Sequence, residues 1–120
     1  MKQVLLALIL ISPITYADWG DTYFCVMTHH SIVTNEGKQT NYILENFKFQ
    51  MNAKQRVFIF GESGYFKGTI MPISVFVSEL EIYQSKDESS HFQLEKGKVI
   101  YTVFSGVYSR VLTADCDKFD

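Results

Sequence analysis

Two cysteines, Cys25 and Cys116, constrain the fold of this 120-residue chain more than any other feature, because the sequence contains no others. The N-terminus carries a secretory signal, and an even cysteine count in an exported chain indicates a disulfide with only one intramolecular pairing. A bridge across about 90 residues stabilises a domain by roughly 4 to 5 kcal/mol on the loop-closure model. The cysteines therefore predict a disulfide between the first and the last strand.

The first residues, "MKQVLLALILISPITYADWG", have the layout of a secretory signal peptide. Lys2 precedes an apolar run from Val4 to Ile11, and Pro13 and Ala17 follow it, which predicts cleavage after Ala17. The apolar run is shorter than the about 20 residues that span a bilayer, so no transmembrane segment is predicted. We therefore expect a signal peptide at 1–17, one domain at 18–120, and a periplasmic or secreted protein.

The charge of the predicted mature chain argues against two classes of partner. Removal of 17 of the 120 residues leaves 103 and takes the net charge from −2 to −3, because Lys2 is lost. A mildly acidic domain without a cluster of Lys and Arg lacks the basic surface that nucleic acids and anionic lipids require. No cofactor motif stands in the sequence either, since Gly61, Gly64 and Gly68 do not match a phosphate-binding pattern. The expected partner is a protein, a glycan or an envelope component.

Short runs of β-branched and aromatic residues, separated by turn residues every 8 to 12 positions or so, predict an all-β fold. The interpretation gives about seven or eight strands with short connections, hence an antiparallel meander. A closed or nearly closed barrel is favoured because its first and last strands are neighbours, as a terminal disulfide requires; a β-sandwich is the alternative. The predicted strands are "TYFCVMTHHSIV", "TNYILENFKFQM", "QRVFIF", "YFKGTI", "ISVFVSELEIYQ", "HFQLE", "VIYTVF" and "VYSRVLTADC".

Three histidines leave a metal site open as an alternative. In a regular strand Cys25, Met27 and His29 share one face, and their side chains suit copper, but a disulfide removes the thiolate. His29 and His30 then point to opposite faces and cannot chelate one ion together unless a bulge intervenes. His91 is distant in sequence. No metal ligand is assigned, and a metal- or small-ligand-binding protein that uses histidines or a barrel-rim pocket is the second function considered.

Catalytic signatures are weak in this sequence. "GESG" places Ser63 between two glycines, but the nucleophile elbow needs a different spacing and a following helix. Glu79 and Glu81 share a face of their predicted strand, and such pairs are more often a solvated surface than an acid and a base. No catalytic residue is assigned, and a hydrolase with an unrecognised site is the third function considered.

The segment "GESGYFKGTIMP" is the candidate recognition surface. Bulky side chains, a lysine and a methionine between glycines are typical of recognition surfaces. The alternative is that Tyr65 and Phe66 begin a strand and that at least one of them belongs to the core. The candidate surface consists of Ser63, Tyr65, Phe66, Lys67 and Met71.

The layout of a signal peptide, "TYFC" on the first strand, a β-meander and "DC" near the C-terminus resembles the periplasmic inhibitors of c-type lysozyme. The likeness rests on Tyr23, Cys25, Cys116 and the tripeptide from Ser63 to Tyr65, and it implies a small barrel with a terminal disulfide. Those inhibitors also carry a second motif with Tyr and Lys, which has no clear counterpart here. The likeness concerns architecture, since a fold does not fix function. Taken as a whole, the sequence favours an exported, non-enzymatic binding or inhibitory module.

Overall fold

The computed structural model describes residues 21–52 and 54–119, so the predicted signal peptide at 1–17 lies outside the described residues. In the described part, no helix has the length and apolar character needed to cross a membrane. The chain forms one antiparallel sheet, and a single 3-10 turn at Ser78–Leu80 interrupts it. Its strands are β1 (Thr22–Thr34), β2 (Gln39–Asn41), β3 (Asn46–Asn52), β4 (Val57–Gly64), β5 (Ile70–Pro72), β6 (Val75–Val77), β7 (Ile82–Lys86), β8 (Ser90–Glu95), β9 (Lys98–Phe104) and β10 (Tyr108–Phe119).

The sheet curls into a barrel-like shape, as predicted. The strand order is β5-β4-β3-β1-β10-β9-β8-β7-β6, and β2 pairs with the second half of β1. The segment 70–77 lies between the two edges, because β5 pairs with β4 and β6 pairs with β7. Between them, the amide of Ile73 donates to Arg56 at 2.8 Å and the amide of Ser74 donates to Gln84 at 2.9 Å. This segment therefore joins the edges of the sheet.

Aromatic side chains fill the interior. Phe49 contacts Tyr23, Phe58, Phe60 and Phe92 with ring centroids 5.2 to 5.9 Å apart. Edge-to-face and tilted rings pack densely and bury a large apolar area for each residue. A filled interior leaves the ends and the outside of the sheet as the places to search for a site.

The predicted disulfide joins Cys25 of β1 to Cys116 of β10. The two residues stand directly opposite each other in the antiparallel register, with Cα atoms 4.0 Å apart and a sequence separation of 91. Cys25 is fully buried and Cys116 nearly so. The bridge therefore lies within the core and fastens the first strand to the last.

Three predicted strands differ in the structure. The run "TNYILENFKFQM" is broken by coil at 42–45, which lies opposite the stretch of β1 where pairing is interrupted. The run "YFKGTI" begins as a turn at 65–68, where Gly68 has a positive φ that a regular strand does not favour. The run "ISVFVSELEIYQ" is split by the 3-10 turn, so Glu79 and Glu81 do not share a strand face.

Removal of the bridge tests its contribution. We expect the double variant Cys25→Ala/Cys116→Ala to have a free energy of unfolding about 4 kcal/mol lower than the oxidised wild type, because the unfolded chain regains the entropy of a long loop. Urea unfolding measures the difference. Wild type in reductant should match the variant, and a loss under about 1 kcal/mol would contradict the loop-closure argument.

Candidate functional site

A β-bulge in β1 places His30 inside the sheet. Tyr23, Cys25 and Met27 are buried in regular alternation, but the register against β10 shifts between Met27 and His29. The extra residue reverses the alternation, so that His30 is 5% exposed and His29 faces the solvent. The prediction that His29 shares a face with Cys25 and Met27 is therefore wrong. Instead, His29 Nε2 lies 2.8 Å from the hydroxyl of Ser31 on the outer face.

Arg110 of β10 reaches the buried histidine. Leu112, Ala114 and Cys116 occupy inward positions of β10. Arg110 precedes them at the same two-residue spacing and is half-buried. Its Nη1 donates a hydrogen bond to Nε2 of His30. A guanidinium has donors only, so the accepting ring nitrogen carries no proton and the neutral imidazole is protonated at Nδ1. That Nδ1 is buried and has no hydrogen-bond partner within the described residues.

Two tyrosines surround this pair. Tyr42, in the coil after β2, has its ring centroid 5.1 Å from that of His30, and Tyr65, in the turn after β4, has its own at 5.0 Å. The guanidinium carbon of Arg110 lies 5.8 Å from the ring centroid of Tyr42 and 6.0 Å from that of Tyr65, within the range of a cation–π contact. We call His30, Tyr42, Tyr65 and Arg110 the Arg110 cluster.

The electrostatics of the cluster leave Arg110 as its only charge near neutral pH. Burial lowers the pKa of His30, and the positive charge of Arg110 lowers it further. Burial raises the pKa of Tyr65, against the opposing effect of Arg110. His30 is therefore neutral and Tyr65 keeps its proton. His30 accepts a hydrogen bond from the guanidinium, but neither residue balances its charge.

No carboxylate forms an ion pair with Arg110 within residues 21–52 and 54–119. The ion pairs found there lie elsewhere, between Lys98 and Asp115 at 2.8 Å and between Lys118 and Asp21 at 3.5 Å. Glu45, which ends the coil at 42–45, acts on the cluster only through its field, since its charge raises the pKa of both His30 and Tyr65. The site is thus a half-buried cation among neutral aromatic side chains, with one acidic residue near it.

The five residues of the predicted recognition surface do not lie together on one surface. Phe66 is 5% exposed and contacts Phe47 and Phe60, so the alternative that one of the two aromatic residues belongs to the core holds for it. Met71 is half-buried against the same core, and Ser63 and Lys67 are exposed. Only Tyr65 joins the Arg110 cluster.

The histidines are not gathered into one site. His30 faces inward, His29 faces outward, and His91 lies on β8, three strands away from β1 in the sheet. Within the described ranges, no group of three or more His, Cys, Asp or Glu side chains is placed to hold a metal ion. Both cysteines belong to the disulfide, so Cys25 offers no thiolate.

A larger depression of about 510 Å³ lies on the outer face of the sheet, away from the cluster. Most of its polar side chains already pair with one another: Lys98 with Asp115, Gln93 with Glu95, and Thr28 with Thr113, while Lys96 also lines it. A surface whose polar groups are satisfied and whose charges are balanced has less to gain from a ligand than an unbalanced cation. The Arg110 cluster is therefore the better candidate site.

Sequence reasoning missed Tyr42 and Arg110. The sequence does contain a signal for Arg110: counting back from Cys116 in steps of two places this charged residue on the inward face of the last strand. Tyr42 had none, since it belongs to a run that reads as continuous strand. The inward orientation of His30 depends on a bulge that contains no glycine.

The pH dependence of stability tests the burial of His30. A folded-state pKa below the unfolded value of 6.5 means that the unfolded chain binds more protons, so the free energy of unfolding falls as pH drops below 6.5. Each unit of difference between the two pKa values contributes about 1.4 kcal/mol. We expect His30→Gln to lose this part of the decline between about pH 7.5 and 5.5, measured by urea unfolding. His29→Gln should retain it, and an unchanged decline in His30→Gln would contradict the assignment.

Gly64, the residue before Tyr65, approaches the backbone of β3 closely, and its replacement tests that approach. Its φ is 96°, and an added Cβ would lie 2.6 Å from the carbonyl oxygen of Asn46. We expect Gly64→Ala to lower the free energy of unfolding by more than about 2 kcal/mol, since backbone must move as well as adopt a left-handed conformation. Gly68, with φ 74° and open space around it, is the matched control, and Gly68→Ala should cost only about 1 kcal/mol in the same thermal or urea unfolding. Equal losses would contradict the close approach to Asn46.

Comparison with known proteins assigns no family to this fold and site. A scan against protein-family models, a search of curated proteins and a search of solved structures each gave no significant match. The functional argument therefore depends on the geometry of the Arg110 cluster.

Proposed function

We propose that this protein is an exported, non-enzymatic binding or inhibitory module that engages its partner at the end of the sheet where the Arg110 cluster lies. The partner is a protein, a glycan or another component of the envelope or the extracellular space. The observation that carries the proposal is the half-buried guanidinium of Arg110, which contacts two tyrosine rings and has no carboxylate at ion-pair distance in the described chain.

The residue types at this end support recognition of a macromolecular surface. Arginine and tyrosine are enriched among the residues that contribute most to binding free energy, because they combine a large apolar area with directed hydrogen bonds. Beside the cluster, the coil at 42–45 exposes Ile43 and Leu44, with Ile43 84% exposed. Apolar side chains around a polar centre give a partner both contact area and a specific anchor.

The packed interior supports an end-on mode of binding. The rings of Phe66 and Tyr101, with centroids 5.0 Å apart, extend the aromatic core up to the level of Tyr65, which contacts Phe66 at 4.9 Å. A ligand is therefore expected to sit on the cluster rather than enter the sheet. The resemblance in sequence layout to small periplasmic inhibitors agrees with a module of this architecture, and it adds no residue to the site.

Site-specific photo-crosslinking tests the proposal in the export compartment. A benzophenone side chain at position 43, beside the cluster, should form an adduct of one defined mass, and one at position 100, on the outer face of β9, should not. Adding Arg110→Gln to the position-43 protein should reduce the adduct about tenfold or more, as expected for loss of a central interface residue. Mass spectrometry of the purified protein reads the result. Equal adducts from both positions, or an adduct indifferent to Arg110→Gln, would contradict the proposed site.

A further inference from the structure

The chemistry of the Arg110 cluster also identifies the kind of group that the partner presents. We propose that Arg110 binds an oxyanion of the ligand, a carboxylate or a phosphate, and that the Glu45 carboxylate weakens this contact. The inference rests on the proposed function for its site and goes beyond it by naming the ligand group.

The charge balance of the cluster carries the first step. A half-buried guanidinium loses part of its hydration, and proteins compensate such a loss with an opposite charge or with hydrogen bonds. Here one hydrogen bond is made to the neutral imidazole of His30, and the neutral ring of Tyr65 lies at cation–π distance. The net positive charge stays uncompensated by any ion pair within residues 21–52 and 54–119.

The donor geometry of arginine carries the second step. The guanidinium has five N–H donors, and its hydrogen bond to His30 uses one of them. The remaining donors suit the paired oxygens of a carboxylate or a phosphate, which arginine binds through two parallel hydrogen bonds. Since Arg110 is already positioned by His30, Tyr42 and Tyr65, little side-chain entropy is lost when the anion binds.

Glu45 carries the third step. Its charge acts on both His30 and Tyr65, so it also acts on an anion held at Arg110. Its backbone amide lies 3.3 Å from the sulfur of Met27, which holds the end of the 42–45 coil against β1. The Glu45 side chain is exposed on this anchored coil, so its charge lowers the affinity for every anion and leaves a preference for ligands that offer further contacts.

Small anions test the inference directly. Sodium acetate and sodium phosphate are titrated into the full oxidised protein at constant ionic strength, with sodium chloride as the balancing salt and neutral acetamide as the isosteric control. The imidazole signals of His30 and the ring signals of Tyr65 report binding by NMR. We expect saturable shifts with one or both oxyanions and none with acetamide. A stronger response to acetate indicates a carboxylate ligand, and a stronger response to phosphate indicates a phosphorylated one.

Three variants assign the response to the cluster. Arg110→Gln should abolish the shifts. Arg110→Lys should weaken binding, because it keeps the charge without the paired donors of the guanidinium. Glu45→Gln should tighten binding about two- to fivefold. Arg110→Lys also serves if Arg110→Gln fails to fold. Equal responses to acetate and acetamide, or shifts that persist in the Arg110 variants, would overturn the inference. If crosslinking at position 43 still depends on Arg110 in that case, the binding function stands and only the ligand group is wrong.

Discussion

The β-bulge at Thr28 is the constraint on which the Arg110 cluster depends. By inserting one residue into β1, it turns His30 toward the interior after Tyr23, Cys25 and Met27 have occupied the inward positions. It also coincides with the gap between β3, which pairs with β1 up to Val26, and β2, which pairs from Ser31. The coil that spans this gap supplies Tyr42 and Glu45. One inserted residue thus turns His30 inward and coincides with the coil at 42–45 that covers it.

The disulfide and the long pairing of β1 with β10 keep the two halves of the cluster in register. His30 belongs to β1 and Arg110 to β10, and these strands pair along almost their whole length, from Thr22 opposite Phe119 to Thr34 opposite Tyr108. The Cys25–Cys116 bridge fastens the same two strands within the core. A site held by covalently linked neighbouring strands is positioned before any ligand arrives, which reduces the entropy cost of binding.

The sequence predicted the architecture well because the signals for it are redundant. Alternating strands such as that of Phe47, Phe49 and Met51, turn residues at regular intervals and a cysteine at each end all indicate the same antiparallel barrel. The site was predicted poorly because its residues depend on local departures from alternation. The bulge at Thr28 contains no glycine that would mark it. Gly64 does mark a turn, but it does not indicate that Tyr65 contacts His30 and Arg110, which are distant in sequence.

Arg110 departs from the alternation of inward apolar and outward polar residues that builds the core. Leu112, Ala114 and Cys116 satisfy the rule that inward positions are apolar, and Arg110 at the next inward position does not. His30 accepts a hydrogen bond from this residue, and its charge has no ion-pair partner among the described residues. An apolar residue there would pack against the aromatic rings without a desolvated charge, so the fold alone gives no reason for arginine. Function is expected where a residue breaks the alternation of the strand without a compensating gain in packing. In this chain, Arg110 at the end of β10 near the bulge is such a residue.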